Sequence, residues 1–498
     1  MPTAHPEERS DEGSKTITME LNEIIQQRRD KLAALKEKGI SPYGCTQSPS
    51  IKIGQALKEF REGEKAGFCG RIMARRSHGK AAFLDLRDST GKIQLYFKLD
   101  DMDKDKAATF ENLDIADFIN VSGELFKTRT GEPTLKVEEF QILSKALRPL
   151  PEKWHGLKDV ELRYRQRYLD LISNEEVKKV FLMRSRIIKA IRDFLEEKGF
   201  LEVETPMMHH IAGGAAGRPF KAHHNEYNMD LYLRIAPELY LKRLLVGGFE
   251  RVYEINRSFR NEGVSTRHNP EFTMLEVYQA YANYEDMMKL SQDLIIKVAM
   301  EVLGENEFTY QGKKVSLAPP WQRRSFAEMV KDKFGIDPGD EAQVMLKKLR
   351  DKGHVLDKAK LTRSQINKII EDILEQEMSA NPTFVTDYFT NLCPLAKTRK
   401  DNPLLSERFE LYVAGMEIGN AYSELNDPLE QKRRFEEEIK ELNPEEKKEV
   451  DADYVLALEH GMPPAGGLGI GIDRLVMLLT DQPSIRDVIL FPLLRPEK

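Results

Sequence analysis

Hydrophobic positions recur with two different periods along the chain, and the changes between them predict separate structural parts. Over Glu20–Lys38 the apolar side chains repeat with a helical period, which predicts an amphipathic helix that ends at Gly39. Residues 1–17 are polar, charge-rich and proline-containing, so disorder is expected there. Residues 1–65 are therefore assigned to a disordered leader followed by an amphipathic helix.

Between residues 66 and 144 the pattern changes to short alternating runs separated by turn residues. Three strands are predicted first, with turns at Ser77–Gly79 and Asp88–Gly91, and two more follow with a hairpin near Thr128–Gly131. Five short strands with one helical stretch between the third and fourth are typical of a small Greek-key barrel of the oligonucleotide-binding (OB) type. This domain is assigned to residues 66–149, and the proline-containing stretch after it to a linker over residues 150–172.

Strand-like and helical patterns alternate over residues 173–498. A helix is predicted over Asn174–Lys198, and strand-rich runs follow at 230–234, 250–259, 271–281, 408–425 and 465–472. The charged stretch 325–378 has a helical pattern and is predicted to be an insertion. The predicted fold class is α+β, with a five-stranded OB-type barrel followed by a domain built on a mainly antiparallel sheet flanked by helices.

Composition restricts the function only weakly. The chain of 498 residues has a formal net charge of −6, from 76 basic and 82 acidic residues, so nucleic-acid binding would have to come from local basic clusters. Its cysteines, Cys45, Cys69 and Cys393, form no C-x-x-C pair, which argues against a disulfide framework or a thiolate zinc site and favours the cytoplasm. With no apolar signal-peptide region and no run of roughly 18 apolar residues, no membrane association is expected.

The densest cluster of chemically useful side chains lies within residues 252–281. If residues 252–260 and 271–280 are antiparallel strands joined by a polar loop, alternation groups Arg260 with Glu262, and it groups Phe272, Met274, Glu276 and Tyr278. Buried charges cost several kcal/mol unless they are paired, so such a face suits a charged ligand. A solvated face of an edge hairpin is the alternative interpretation.

The sequence F-R-N-E, followed by a loop that ends in R-H-N-P-E-F, resembles the second signature of the class II aminoacyl-tRNA synthetases. By that resemblance Arg260 holds the α-phosphate of ATP and the substrate carboxylate, and Glu262 accepts a hydrogen bond from the adenine amino group. His268 would approach the terminal phosphates, Phe272 would stack on adenine, and Asn269 would also lie at the ATP site. Adenylate formation agrees with these roles, because displacement of pyrophosphate requires positive charge beside the developing negative charge.

The other two signatures of that family have counterparts here. GFLEVETPMM (Gly199–Met208) resembles the first, which implies a homodimer whose interface includes this segment. GGLGIGIDRLVMLLT (Gly466–Thr480) resembles the third, in which Gly467, Gly469 and Gly471 would leave a flat surface for a planar base, covered by Arg474. A dinucleotide-binding glycine loop fits poorly, since the spacing is G-x-G-x-G and no β-α-β unit follows. Arg260, Glu262, His268 and Arg474 are the predicted catalytic residues.

A hairpin that turns near Val413–Gly415 would place Glu410 and Glu417 opposite each other. Directly opposed carboxylates repel, and a bridging cation would relieve them. Mg²⁺ takes oxygen ligands and prefers sites that it shares with substrate phosphates, so Glu410 and Glu417 are predicted to hold Mg²⁺ carried by ATP. The resemblance implies the same, and a Lys or Arg partner elsewhere in the chain is the alternative.

A pocket for a long cationic side chain is predicted from the strand that follows. Asn420, Tyr422 and Glu424 share a face, and Glu424 with Glu276 and Tyr278 would be acidic and hydroxyl-bearing. The resemblance places Glu238 and Gly214 at the α-amino group of the substrate. Together with Arg260, these residues form the predicted lysine site.

The segments APELYLKRLL, RHNPEFTMLEVY and EIGNAYSELND make the resemblance specific to the lysine members of the family, in their bacterial form. It implies ATP-dependent activation of L-lysine to lysyl-adenylate, followed by transfer to the terminal adenosine of tRNA(Lys). One departure is Gly217, which stands where alanine is expected in the AGGAAGRPF loop.

The barrel resembles the anticodon-binding domain of the same subgroup. Arg71, Arg75, Arg76 and Lys80 form a basic cluster that could meet phosphates. The resemblance implies that Phe83 stacks on a base and that Gln94 and Glu132, beside Arg76, read base edges. The alternative for Phe83 is a place in the barrel core.

Two other functions were weighed against aminoacylation. A synthetase-like ligase that transfers lysine to a protein would lack the barrel. A non-catalytic RNA-binding scaffold would be expected to have lost some of Arg260, Glu262, Glu410, Glu417 and Arg474, and all five are present.

Overall fold

The computed structural model of the chain describes residues 8–43, 48–151, 157–211, 213–215, 217–354, 361–441 and 450–496. It divides into two compact units, Met1–Lys158 and Asp159–Lys498. Among the described helices, none combines the length and the apolar character that a membrane span requires. The predicted α+β fold class, with a five-stranded barrel and a second unit built on a large sheet, is confirmed.

The first unit is a closed barrel with three helices beside it. Its strands are β1 (Lys65–His78), β2 (Ala81–Arg87), β3 (Lys92–Lys98), β4 (Phe118–Lys127) and β5 (Pro133–Ser144), paired in the order β1-β2-β3-β5-β4. Its helices are α1 (Glu8–Glu37), α2 (Ile53–Lys58) and α3 (Lys104–Glu111), and a 3₁₀ turn covers Leu99–Asp101. Strict alternation of buried and exposed positions along β2 and β3 fills the barrel with aliphatic and aromatic side chains.

Helix α1 begins at Glu8, so residues 8–17 are helical although disorder was expected there, and residues 1–7 lie outside the described residues. Arg28 on this helix donates hydrogen bonds to the carbonyls of Ala146 and Arg148, at 3.0 and 2.9 Å. Lys31 pairs with Asp114. These contacts hold α1 to the end of the barrel.

The second unit contains the remaining helices. They are α4 (Val160–Arg165), α5 (Arg167–Ser173), α6 (Glu175–Glu197), α7 (Glu238–Val246), α8 (Tyr284–Leu303), α9 (Phe326–Phe334), α10 (Ala342–Asp351), α11 (Arg363–Glu375), α12 (Pro428–Glu441), α13 (Ala452–Glu459), α14 (Ile472–Leu479) and α15 (Ile485–Val488). Part of the predicted 150–172 linker is thus helical, and residues 152–156 lie outside the described residues. A 3₁₀ turn covers Thr390–Leu392.

The strands of the second unit form one large sheet and two small ones. They are β6 (Leu201–Glu202), β7 (Met208–His209), β8 (Lys221–His224), β9 (Met229–Leu233), β10 (Arg251–Phe259), β11 (Glu271–Ala280), β12 (Glu307–Tyr310), β13 (Lys313–Ser316), β14 (Gln322–Ser325), β15 (Thr383–Thr386), β16 (Arg408–Val413), β17 (Met416–Ser423) and β18 (Ala465–Gly471). The eight-stranded sheet has the order β14-β15-β16-β17-β18-β11-β10-β6, and only the pairs β14/β15 and β10/β6 are parallel.

The two faces of the large sheet differ in chemistry. Leu275 and Val277 on β11, with Leu468 and Ile470 on β18, face an apolar core shared with α6, α8 and α14. Residues that alternate with them, such as Glu276, belong to the opposite face. The sheet therefore presents a charged surface on a rigid support.

Helices α9, α10 and α11 lie within the predicted insertion 325–378 and pack in an apolar cluster that they share with Val385 on β15 and Tyr412 on β16. Its buried members include Phe326, Val330, Leu346, Ile366 and Ile370. The apolar positions of α10 and α11 recur with a helical period, so the charged composition of this segment belongs to their outer faces.

Lys145→Met is expected to destabilise the barrel unit by about 3–5 kcal/mol, because it leaves the buried carboxylate of Asp117 without its cation. The Lys145 side chain is fully buried and pairs with Asp117 at 2.8 Å and with Asp114 at 2.5 Å. Hydrogen exchange of the β4 and β5 amides in the full chain would measure the change.

A matched control is Lys106→Met, which removes a largely exposed ion pair with Glu139. It should change the free energy of opening, measured by exchange of the same amides, by less than about 1 kcal/mol. Equal effects of the two substitutions would contradict the role assigned to the buried pair.

Candidate active site

Strand β18 lies between β11 and β17, and its glycines make room for side chains from both neighbours. Gly467 pairs with Tyr278 on one side and Tyr422 on the other, while Gly469 pairs with Glu276 and Asn420. A Cβ atom on Gly467 would lie 1.9 Å from Glu424 Oε1 and 2.6 Å from the Tyr278 ring. The surface over Gly467 is therefore filled by protein, and a base could lie flat only nearer Gly469 and Gly471.

Three carboxylates converge beside this glycine. Glu238 begins α7, Glu276 lies on β11 and Glu424 follows β17, and each is 5% exposed or less. Tyr278 donates a 3.2 Å hydrogen bond to Glu276, and Tyr422 donates a 2.6 Å hydrogen bond to Glu238. The structure thus brings together the acidic and hydroxyl groups predicted for the lysine pocket.

Burial and mutual repulsion perturb these carboxyl groups. Burial, followed by the charge of Glu238, raises the pKa of Glu276 to about 8. Burial also raises the pKa of Glu424 to about 8, against the opposing effect of Lys242. Carboxylates gathered in a low-dielectric site need cations to be ionised together, so the pocket is suited to a positively charged ligand.

Lys242 is a member of this cluster that the sequence analysis missed. Its side chain is fully buried, and its Nζ lies 2.7 Å from Glu238 Oε1 and also contacts Glu424 Oε2. Although burial alone would lower the pKa of Lys242, the two glutamates raise it above its usual value. The i, i+4 spacing of Glu238 and Lys242 on one helix was the available signal.

Gly214 lies over the start of α7, where it adopts a φ of +87° that favours glycine. A Cβ atom there would approach the Glu238 side chain at 3.4 Å. Gly217, the departure from the family pattern, contacts Arg260: a Cβ atom would lie 3.2 Å from the Arg260 side chain. The glycine therefore leaves room beside that arginine.

Arg260 lies where the acidic pocket meets the charged groups of the second signature. Its guanidinium lies 5.1 Å from the centre of the Phe272 ring, and its Nε is buried without a hydrogen-bond partner among the described residues. Burial lowers the pKa of Arg260, and Glu262, Glu417 and Glu276 oppose this effect. A buried guanidinium with an unused donor is suited to bind an anion.

Arg474 and His268 lie together on the other side of this region. Arg474 Nη1 donates to the backbone oxygen of Glu417 at 2.8 Å and to its carboxylate at 2.9 Å. Arg474 Nη2 lies 3.4 Å from His268 Nε2. Burial, with Arg474 and Lys368, lowers the pKa of His268, which keeps the imidazole neutral at pH 7. Asn269, also predicted at the ATP site, is buried and donates to the Glu271 carbonyl.

Glu410 and Glu417 are not directly opposite each other. Glu410 pairs with Asn420 and Glu417 pairs with Tyr412, because an irregularity between Leu411 and Tyr412 shifts the register. Both carboxylates have arginine partners, as the alternative interpretation allowed. Glu410 binds Arg408 and accepts from Tyr388 and Tyr412, whereas Glu417 binds Arg474.

A further carboxylate, Glu371 on α11, lies near this pair. Burial and the charge of Glu410 raise the pKa of Glu371 to about 8. Within the described part of the chain no three metal-ligating side chains form a ready-made cluster. An excess of carboxylates without a closed cage fits Mg²⁺ that arrives with phosphate ligands of its own.

The insertion reaches this region through an ion pair. Arg267, in the loop between β10 and β11, binds Glu375 at the end of α11. The sequence analysis assigned no role to the insertion, and these contacts place α11 beside the residues predicted to bind the phosphates of ATP.

In the barrel unit, Arg76, Phe83 and Tyr96 form a row across three strands. Phe83 is half-buried and alternates with the core residues Ala82 and Leu84, so it lies on the outer face and the core alternative is wrong. Gln94 accepts a 3.0 Å hydrogen bond from Thr134, and Glu132 is exposed nearby.

The predicted basic cluster of the barrel is divided. Arg75 donates to the carbonyls of Phe110 and Leu113, and Arg71 donates to that of Ala116. These two arginines serve the barrel structure. Arg76 pairs with Asp85 and is half exposed, and Lys80 pairs with Asp100 at the surface.

Comparison with known proteins agrees with this arrangement. A family profile described as tRNA synthetases class II (D, K and N) matches residues 159–495, and one described as an OB-fold nucleic acid binding domain matches residues 68–143. The lysine–tRNA ligase of Pelotomaculum thermopropionicum is 56% identical over 487 residues, which is 96% of each chain. That of Carboxydothermus hydrogenoformans is 55% identical, over 96% of this chain and 99% of the relative. The chain therefore belongs to the class II tRNA synthetases of the D, K and N group and, within it, to the lysine–tRNA ligase family.

Proposed function

We propose that this protein is a lysine–tRNA ligase. It activates L-lysine with ATP to give enzyme-bound lysyl-adenylate and pyrophosphate, and it then transfers the lysyl group to the terminal adenosine of tRNA(Lys). The observation that carries the proposal is the group of three buried carboxylates, Glu238, Glu276 and Glu424, beside the half-buried Arg260. Such a site fits a ligand with two ammonium groups and one carboxylate.

The substrate roles follow from the positions of these groups. Glu238 and the backbone of Gly214 bind the α-ammonium group, and Glu424 with Tyr278 binds the ε-ammonium group. Glu276 and Tyr422 orient these partners through hydrogen bonds, while Asn420 lies on the same face of β17. Arg260 binds the lysine carboxylate and the α-phosphate, and so holds the two reacting groups together.

In the first step a lysine carboxylate oxygen attacks the α-phosphorus and pyrophosphate leaves. Arg260 faces the negative charge that develops, Arg474 and His268 face the leaving phosphates, and Glu262 with Phe272 holds adenine near Gly469, Gly471 and Asn269. In the second step a ribose hydroxyl of tRNA takes the lysyl group and AMP leaves. Neither step requires a covalent enzyme intermediate.

Glu410 and Glu417 are the residues that would hold Mg²⁺, with Glu371 nearby. When bound with ATP, Mg²⁺ neutralises phosphate charge and so favours departure of pyrophosphate. Glu410 contacts Arg408, and Glu417 contacts Arg474. Burial alone would raise the pKa of Glu417, but Arg474 holds it below its usual value.

The outer face of the barrel, with Arg76, Phe83, Gln94 and Glu132, is proposed to bind the tRNA anticodon. A partly exposed aromatic ring beside a cation, such as Phe83 beside Arg76, is a stacking platform for a base. Homodimer formation through Gly199–Met208 is supported by apolar side chains that are about half exposed, namely Leu201, Met207 and Met208. The cytoplasm is the proposed location.

ATP–pyrophosphate exchange across the amino acids tests the function. We expect lysine to support exchange at least about 100-fold better than methionine, because a side chain without a cation leaves buried carboxylates unpaired. Charging of tRNA(Lys) should follow. Exchange without charging would favour a ligase that modifies a protein, and absence of exchange would favour a non-catalytic RNA-binding scaffold.

Glu424→Ala is expected to reduce kcat/KM for lysine by about 10- to 100-fold, the effect of losing a hydrogen bond to a charged group. The KM for ATP should change less than about threefold, since the residue faces the amino-acid end of the site. Exchange kinetics with each substrate varied in turn would measure both constants. Glu436→Ala, on the exposed side of α12, is the control. Equal losses for lysine and ATP would show that Glu424 is assigned to the wrong ligand.

The raised pKa values of Glu276 and Glu424, both about 8, predict how lysine use depends on pH. Below pH 8 these carboxyls hold protons in the free site, and lysine binds the ionised form. We expect kcat/KM for lysine to rise at least about fivefold from pH 7 to pH 8.5, with a smaller change for ATP. Glu276→Gln should flatten the profile, and a profile for the unaltered enzyme that falls over this range would contradict the assignment.

A further inference from the structure

The least expected group in the amino-acid pocket is a cation that belongs to the protein. Lys242 is wholly buried on α7, and its Nζ contacts carboxylates from two elements, Glu238 on the same helix and Glu424 after β17. Burying an ammonium group is costly, and an aliphatic residue would fill the same volume without that cost. We therefore expect the ammonium group of Lys242 to serve the function of Glu238 and Glu424.

Lys242 divides the oxygens of its partners into two sets. Glu238 Oε1 accepts from both Lys242 and Tyr422, which leaves Oε2 clear of both. Glu424 turns Oε2 toward Lys242, and its Oε1 lies over Gly467 beside the Tyr278 ring. That Oε1 atom is buried, and no donor among the described residues reaches it. Lys242 thus contacts one oxygen of each glutamate and leaves the other oxygen of each without a contact to Lys242.

The charges of the pocket support the same interpretation. Three carboxylates face two cations, Lys242 and Arg260, so the ionised site carries one excess negative charge. Lysine, with two ammonium groups and one carboxylate, carries one positive charge. Without Lys242 the excess would be two, and the site would no longer match its substrate. Glu254 on β10 is balanced by Arg234 at 2.6 Å and does not alter this count.

We propose that Lys242 is a positioning and specificity-determining residue: it contacts one oxygen of Glu238 and one of Glu424, orients both carboxyl groups and favours the ionised form of Glu424, so that the other oxygen of each is available to an ammonium group of lysine. This proposal rests on the proposed function. The other titratable groups that face the pair from α7, β11, β17 and α13 are Arg243, Glu276, Tyr278, Tyr422 and Tyr454. Burial raises the pKa of each tyrosine, so these three side chains stay neutral. Lys242 is the cation that acts on Glu424.

A purely structural counter-ion would give a different result from a positioning residue. Loss of a structural ion would lower stability and affect lysine and ATP alike. Loss of a positioning ion would affect lysine alone and would let Glu424 hold a proton to higher pH. A protonated Glu424 also discriminates less against a side chain without an ammonium group. Norleucine, which keeps the four-carbon side chain of lysine and lacks that group, reports on this difference.

The experiment compares full-length Lys242→Met with the unaltered enzyme in ATP–pyrophosphate exchange. We expect kcat/KM for lysine to fall tenfold or more at pH 7.5 and to recover in part toward pH 9, while the KM for ATP changes less than threefold. The ratio of kcat/KM for lysine to kcat/KM for norleucine should fall by at least tenfold. Lys289→Met, which removes a surface lysine paired with Asp293, should match the unaltered enzyme.

Two further variants keep the test decisive if Lys242→Met folds poorly. Lys242→Gln keeps a hydrogen-bond donor without the charge and should reproduce the altered pH profile. Lys242→Arg keeps the charge and should restore most of the discrimination against norleucine. Unchanged lysine kinetics in Lys242→Gln, or parallel losses for lysine and ATP, would overturn the proposal. Failure of the unaltered enzyme to activate lysine would instead overturn the proposed function.

Discussion

The structure of the second unit depends on one electrostatic constraint, the burial of Glu238, Glu276 and Glu424 in one cluster beside β18. Like charges removed from water repel strongly, and a site of this kind is stable only if cations or protons balance it. Lys242 and Arg260 supply part of the balance, and burial together with the neighbouring carboxylates raises the pKa values of Glu276 and Glu424 to about 8. The pocket is thus complementary to a cation.

The large sheet makes this arrangement possible. Alternation along β11 and β18 sends Leu275, Val277, Leu468 and Ile470 to the apolar core, so the same strands can present charged groups on the other face without disturbing it. Glycine at position 467 lets Tyr278 and Glu424 approach across a strand that would otherwise separate them. Packing on one face therefore fixes electrostatics on the other, which is the preorganisation that a charged transition state needs.

The sequence predicts those parts of the site whose residues recur with the period of a single strand or helix. It does not predict residues that are distant in sequence and are brought together by tertiary packing. Strand alternation was sufficient for Glu276 with Tyr278 and for Tyr422 with Glu424, since each pair lies on one strand face. It failed for Glu410 and Glu417, because the irregularity beside Leu411 shifts a register that a simple hairpin would keep. Glu371 could not be predicted from local pattern, since the packing of the insertion against β15 and β16 brings it to the site. The barrel was predictable because its short alternating strands and turns are local signals, whereas the inward hydrogen bonds of Arg71 and Arg75 are not.

Arg260 lies between Glu276 on one side and Glu262, Glu417 and Arg474 on the other, which bears on how two anionic ligands would bind. Glu276 lies on its amino-acid side, while Glu262, Glu417 and Arg474 influence it from the nucleotide side. Its buried Nε lacks a partner among the described residues, so an anion that binds there satisfies a donor that is otherwise desolvated. Both a lysine carboxylate and an α-phosphate are such anions, and binding of either reduces the cost of holding this arginine in place for the other. If Arg260 binds both anions as proposed, one guanidinium couples the two substrates.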